Sequence, residues 1–164
     1  MEKVNIYLYS SIRGRTGTGK GIYILEAPDV VPTDQKSNSL ANVVDVEGTK
    51  TQSQLYVMKS ALERLKRPSN LHIFVDDHLF IREVIEFLPK WISNGWKTTM
   101  STEVRNREQW QQVWDLLQCH VYELEYSKDH KYYKWQKYEA ERRANERTDK
   151  NGRRQPDGIG KGTA

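Results

Sequence analysis

The chain has 164 residues, 37% of them hydrophobic and 29% charged, with a formal net charge of +4. That is room for one core and little more, and its longest apolar stretches are strand-sized, too short for a signal peptide or a membrane span. A lone cysteine, Cys119, excludes an internal disulfide and any cysteine-rich zinc site, so an intracellular, cytoplasmic protein with no membrane partner is expected.

Val4 to Tyr9 (VNIYLY) reads as a first strand and Gly21 to Ala27 (GIYILEA) as its hairpin partner. Between them SSIRGRTGTGK, with Gly14, Gly17 and Gly19 alternating and Gly21 just beyond, predicts a long turning loop made basic by Arg13, Arg15 and Lys20. Amides in such a loop can meet phosphate oxygens, but the GxxxxGK[ST] order is absent, and a plain glycine-rich hairpin is the more frequent explanation of such a string. Pro28 to Ser39 is turn-rich, and Leu40 to Glu47 alternates towards a third antiparallel strand. Thr51 to Leu65 carries Leu55, Met58, Leu62 and Leu65 on one helical face, with Thr51 or Ser53 as N-cap.

Leu71 to Val75 (LHIFV) has the branched and aromatic character of a buried central strand, and it ends at Asp76 and Asp77. Ligands gather at strand carboxyl ends in α/β sheets, and acidic side chains there suit a divalent cation; capping of the next helix is the competing use for either one. Phe87, Leu88, Trp91, Ile92 and Trp96, broken by Pro89 and Gly95 and flanked by Lys90 and Lys97, form an aromatic-rich helical patch. It suits either a nucleic-acid platform or a core. Arg107 to Gln118 is an amphipathic helix with Trp110, Val113, Trp114 and Leu117 inward, and Val121 to Tyr126 is a final strand followed by His130 in a turn.

From Lys131 a charged helix follows, with Tyr133, Trp135 and Tyr138 as its apolar face, fading near Ala144. Residues 1–130 hold 16 Lys or Arg against 17 Asp or Glu, whereas residues 131–164 hold 10 against 5. A basic arm suits a polyanion partner, though solvated surface looks the same. Residues 1–146 are expected to form the domain and 147–164 a basic, disordered tail.

The order of three strands, helix, strand, helices, strand and helix, together with VNIYLYSSIRGRTGTGKG, ALERLK, IREVIEFLPKWISNGWKT and VRNREQW, resembles bacterial-type ribonuclease H over roughly residues 4–145. The resemblance implies an α/β, ribonuclease H-like fold: a mixed five-stranded sheet, three antiparallel strands then two further strands, flanked by helices. It places the family's four carboxylates at Tyr9, at Gln54, at Asp77, and near Glu139 or Glu141 with Ala140 as the ungapped match; His130 matches a mobile histidine that assists product release. Asp77 would be at most a weak metal ligand. The resemblance further sets Arg13, Arg15, Thr51 and Gln52 against one nucleic-acid strand, and Lys90, Trp91, Trp96, Lys97 and Asn106 against the other.

Such enzymes hold two Mg²⁺ about 4 Å apart on clustered carboxylates. A tyrosine hydroxyl and a carboxamide carry no charge at pH 7, and Asp76 does not replace the lost acids because adjacent residues leaving a strand point apart. The expectation is therefore a catalytically degenerate, pseudo-nuclease member that binds RNA–DNA hybrid or duplex RNA with no cofactor. An active ribonuclease H using Mg²⁺ or Mn²⁺, and a protein-interaction module or inhibitor acting through the C-terminal helix, tail and Tyr132, Tyr133 and Tyr138, are the alternatives.

Overall fold

The computed structural model describes residues 1–150, with side chains as far as Glu146. Its strands are β1 (Glu2–Ser10), β2 (Gly17–Glu26), β3 (Ser39–Gly48), β4 (Ser69–Val75) and β5 (Val121–Tyr126). They form one mixed sheet in the order β3-β2-β1-β4-β5. The first three run antiparallel, and β4 and β5 join parallel to β1, as the expected fold requires. The helices are α1 (Lys50–Leu62), α2 (His78–Arg82), α3 (Leu88–Ser93), α4 (Arg107–Leu117) and α5 (Tyr133–Lys150).

Alternation along the central strands divides the side chains between two layers. Val4, Ile6 and Leu8 of β1 and Leu71, Ile73 and Val75 of β4 join Leu55, Met58, Leu62, Trp110, Val113 and Leu117 in the main core, under α1 and α4. Tyr7 and Tyr9 of β1 face the other way with Ile22 and Ile24 of β2, and α5 covers them with Tyr133 and Ala140. Burying β1 on both faces puts its carboxyl end, with that of β4, at the centre of the molecule.

Several expected details change. The first four strands extend beyond the apolar runs, because ladder hydrogen bonds continue through polar residues; β2 begins at Gly17, so the loop after β1 is short. Gly19 and Gly21 are strand residues: a Cβ on Gly19 would overlap Ser11, and one on Gly21 would overlap a methyl of Val57 in α1. The N-cap of α1 is Thr49, not Thr51 or Ser53, since Thr49 and Gln52 close a capping box. That helix stops at Leu62, short of Leu65.

On α5 the buried residues are Tyr133, Gln136 and Ala140, whereas Trp135 and Tyr138 are 46% and 65% exposed. The expected apolar face of Tyr133, Trp135 and Tyr138 is thus replaced by one with a polar member: Gln136 donates to the carbonyls of Tyr7 and Ile22, both at 3.1 Å. Of the three tyrosines offered for a protein contact, only Tyr138 is exposed; Tyr132 is half-buried and Tyr133 buried. The helix also continues past the boundary expected at residue 146, and the rest of the predicted tail lies outside the described residues.

Pro89 does not end the helix that begins at His78. A π-helical turn, Glu83–Phe87, lies between α2 and α3, with the Leu88 amide donating to the Glu83 carbonyl. The wider turn accommodates a residue that has no N–H to give and whose ring crowds the preceding turn.

The glycine contacts yield a paired prediction. Gly21→Ala should destabilise the protein by about 1–3 kcal/mol through overpacking against Val57. Gly14→Ala, which meets open space at an ordinary φ, should stay within about 0.5 kcal/mol of the parent. Urea unfolding of both variants checks the contrast; equal effects would contradict the close helix–strand approach.

Candidate functional site

β1 and β4 run in parallel with Tyr7 opposite Phe74, and two residues on, Tyr9 and Asp76 share the face covered by α5. Asp76 leaves β4 almost fully buried, at 5% exposure. The Arg13 guanidinium pairs with it, and the Tyr133 hydroxyl donates to the same oxygen at 2.7 Å. Arg13 also lies over the Tyr9 ring, 4.5 Å from its centroid. Burial alone would raise the Asp76 carboxyl, but the hydrogen bonds from Arg13 and Tyr133 outweigh it and hold it below the usual carboxylate range. The same burial, with Asp76 alongside, pushes the Tyr133 phenol far up, so it remains a donor.

Asp77 turns the other way. Its side chain caps α2 by accepting from the Phe80 amide at 3.1 Å, and the Lys50 ammonium at the start of α1 lies 3.4 Å from its other oxygen. Of the two candidate glutamates on α5, Glu141 reaches the site: it accepts from the Tyr9 hydroxyl at 3.2 Å and pairs with Lys137 at 2.8 Å. Glu139 is held by Arg142 and Arg143, each at 2.9 Å, while Ala140 packs in the core beside Tyr9. Gln54 is completely buried, and neither carboxamide atom makes a hydrogen bond; a carboxylate there would be far costlier to bury. Among the described residues no three His, Cys, Asp or Glu side chains are grouped so as to hold a metal ion.

His130 packs against Tyr7, Phe74 and Tyr133, with centroids 4.7, 5.9 and 5.7 Å away. Its Nδ1 accepts from the Tyr132 amide at 3.1 Å, and burial holds the ring below the usual imidazole value. It is therefore a neutral ring fixed in an aromatic cluster.

The residues expected to touch nucleic acid fall into two groups. Near the cluster, Arg13 is engaged by Asp76 and Arg15 is exposed. Thr51 is in the first turn of α1, and the Gln52 amide is taken by Thr49 at 3.1 Å while the Gln52 side chain donates to Asn106 at 3.0 Å. Farther off, Lys90, Trp91 and Lys97 line a groove of about 430 Å³. Trp91 meets Trp110 edge-on at 5.5 Å; Trp96 is buried, 5% exposed, with Arg107 over its ring.

Sequence reasoning missed the partners. The Lys137 and Glu141 pair was legible from its i, i+4 spacing; Arg13 with Asp76 and Lys50 with Asp77 join residues far apart in the chain and had no local signal. Glu83 was missed too. It is half-buried in the π turn, where burial, then the Asp77 charge, pushes its carboxyl up to about 7.

A family model described as RNase H matches residues 1–155. A ribonuclease H of Cupriavidus pinatubonensis is 30% identical over 122 residues, 73% of this chain and 78% of the relative. A ribonuclease HI of Xylella fastidiosa is 27% identical over 131 residues, 79% of this chain and 82% of its own. In structure, the chain is similar to LC9-RNase H1, described as a type 1 RNase H with the type 2 active-site motif, at a TM-score of 0.70 and 16% identity, over 88% of this chain and 73% of that one. It is also similar to a foamy viral protease-reverse transcriptase in complex with RNA/DNA hybrid, at a TM-score of 0.60 and 13% identity, over 86% of this chain and 19% of that one.

Because the folded-state value of Glu83 lies above the ordinary 4.5, the fold favours its protonated form. That stability is fully present below the unfolded value and is lost as pH rises through about 7. After discounting for solvent screening, the loss is on the order of 1 kcal/mol. Urea midpoints at acid and alkaline pH should therefore differ less in Glu83→Gln than in the parent; an unchanged difference would rule out this titration.

Proposed function

The chain belongs to the ribonuclease H family, and from that membership we propose a protein that binds an A-form-like duplex, RNA–DNA hybrid or double-stranded RNA, without cutting it. One observation carries the reading: Asp76, Asp77 and Glu141 are each bound to a cation of the same chain, Asp76 to Arg13, Asp77 to Lys50 and Glu141 to Lys137.

A pair of magnesium ions needs several hard anionic oxygens in near-octahedral array. Here Asp76, Asp77 and Glu141 are matched one for one by positive charge, Asp77 also caps a helix, and the remaining positions are a tyrosine, a buried carboxamide and a core alanine. The residues do not fit the two-metal group.

What favours retained binding is the surface away from the acids. The groove beside Lys90, Trp91 and Lys97 combines exposed ammonium groups with an aromatic wall, a combination suited to a nucleic-acid backbone. The similar viral protein is described in complex with RNA/DNA hybrid, and another foamy viral protease-reverse transcriptase in complex with dsDNA. An A-form duplex would be read here through its shape, phosphates and sugar hydroxyls.

Purified protein incubated with RNA–DNA hybrid should give no product above buffer with either Mg²⁺ or Mn²⁺, yet should bind the hybrid with salt-dependent affinity. Lys90→Gln with Lys97→Gln should reduce the slope of log affinity against log salt by about 2. Manganese-dependent cleavage that vanishes in Asp77→Asn would establish the active-enzyme reading instead. Absent binding at low salt would favour the protein-interaction reading.

A further inference from the structure

In the two inner acid–cation pairs the acid is the less exposed member and the cation is the one that meets solvent. The Asp76 side chain is 0% exposed and that of Arg13 35%; Asp77 stands at 14% and Lys50 at 39%. In the outer pair Lys137 is 52% exposed and Glu141 44%. Tyr9 joins the sets, with Arg13 on its ring and Glu141 on its hydroxyl, and Lys50 acts on Asp76 as well as on Asp77. Three cations, each paired with an acid of the same chain, therefore stand about the mouth between β1, β4 and α5.

We propose that Arg13, Lys50 and Lys137 form a seat for a backbone phosphodiester that works without a divalent ion, the chain's own cations standing where an active relative would need metal. This rests on the nucleic-acid reading above and names the chemistry of its central contact. A guanidinium has five N–H donors and an ammonium three. Arg13 Nη2 serves Asp76 and the Tyr133 hydroxyl, and donors remain for a ligand. The Tyr9 face and the Asp76 anchor keep the guanidinium plane in one orientation, the pre-organisation that suits phosphate oxygens. Each acid cancels the charge of its partner in the free protein, so no three-fold positive cluster has to be stabilised before the ligand arrives.

The test measures binding of a short RNA–DNA hybrid by fluorescence anisotropy, in EDTA and in Mg²⁺ at matched ionic strength, across a salt series. The parent should bind within about twofold under both conditions. Lys50→Gln and Lys137→Gln should each lower the salt slope by about 1, and Lys50→Arg should restore it. Arg13→Gln leaves a buried acid unpaired, so Arg13 is tested as the neutral pair Arg13→Gln with Asp76→Asn, checked for folding by circular dichroism; its slope should fall as well. Binding that collapses in EDTA, or slopes unmoved by all of these substitutions, overturns the metal-free seat while leaving duplex binding intact. No hybrid binding in either buffer at low salt overturns the functional reading itself.

Discussion

A carboxylate with no exposed side-chain surface, Asp76, is the pivot on which this end of the molecule turns. It closes β4, draws in Arg13 from the loop after β1, and receives the Tyr133 hydroxyl from the first turn of α5. A buried ion pair adds little net stability against an apolar replacement, but removing one member strands a charge at about 3–5 kcal/mol. The three segments are thereby committed to a single arrangement. A second buried acid does the same at the far end of β2: Glu26 accepts from Tyr7 at 2.8 Å, from Asn5 and Tyr132 at 3.1 Å each, and pairs with Lys131. Consecutive residues, Lys131, Tyr132 and Tyr133, thus tie the start of α5 to two carboxylates, one at the end of β2 and one just past β4.

This explains how a helix with so little apolar surface covers half a sheet. Gln136 and Ala140 sit flat on β1 and β2, one bonding backbone carbonyls and the other leaving space for Tyr9 and its neighbours. The aromatic material that would ordinarily fill that layer comes from the strands. Tyr7 stacks on Phe74 at 4.8 Å, Phe74 on His72 at 4.3 Å, and His130 tilts against Tyr7. The functional mouth therefore belongs to a rigid, largely aromatic floor rather than to a loop.

Much of the scaffold was legible in the chain itself. The strands and the antiparallel meander of the first three were readable from the runs themselves, the mixed five-stranded sheet was implied by the family resemblance, and Leu71 to Val75 was recognisable by its branched and aromatic character. The central acids stood out, and Asp76 and Asp77 do point apart, but the resemblance set Asp77 at the site whereas the structure puts Asp76 beside Arg13, Tyr133 and Tyr9 and turns Asp77 to cap α2. What stayed hidden was non-local. Nothing near Arg13 announces that it will spend its charge on a residue 63 positions away, and Trp135 and Tyr138 suggest burial until Gln136 is seen to compete for the same face. Thr49 was passed over because Gly48 reads as a break, although that glycine, at φ +102°, is what lets the chain enter the capping box.

The π turn before Pro89 acts as a phase shifter in the long helical arm that begins at His78. One additional residue in a turn of 3.6 offsets everything beyond it by about 100° around the axis. The offset aims Trp91 at Trp110 and leaves Lys90 facing outward beside the groove. Excising a single residue there would carry Trp91 about 100° round the axis, to where Lys90 now stands, and bring Ile92 to face Trp110. The alignment of this surface is thus stored in a count of residues along the backbone, not in the identity of any side chain.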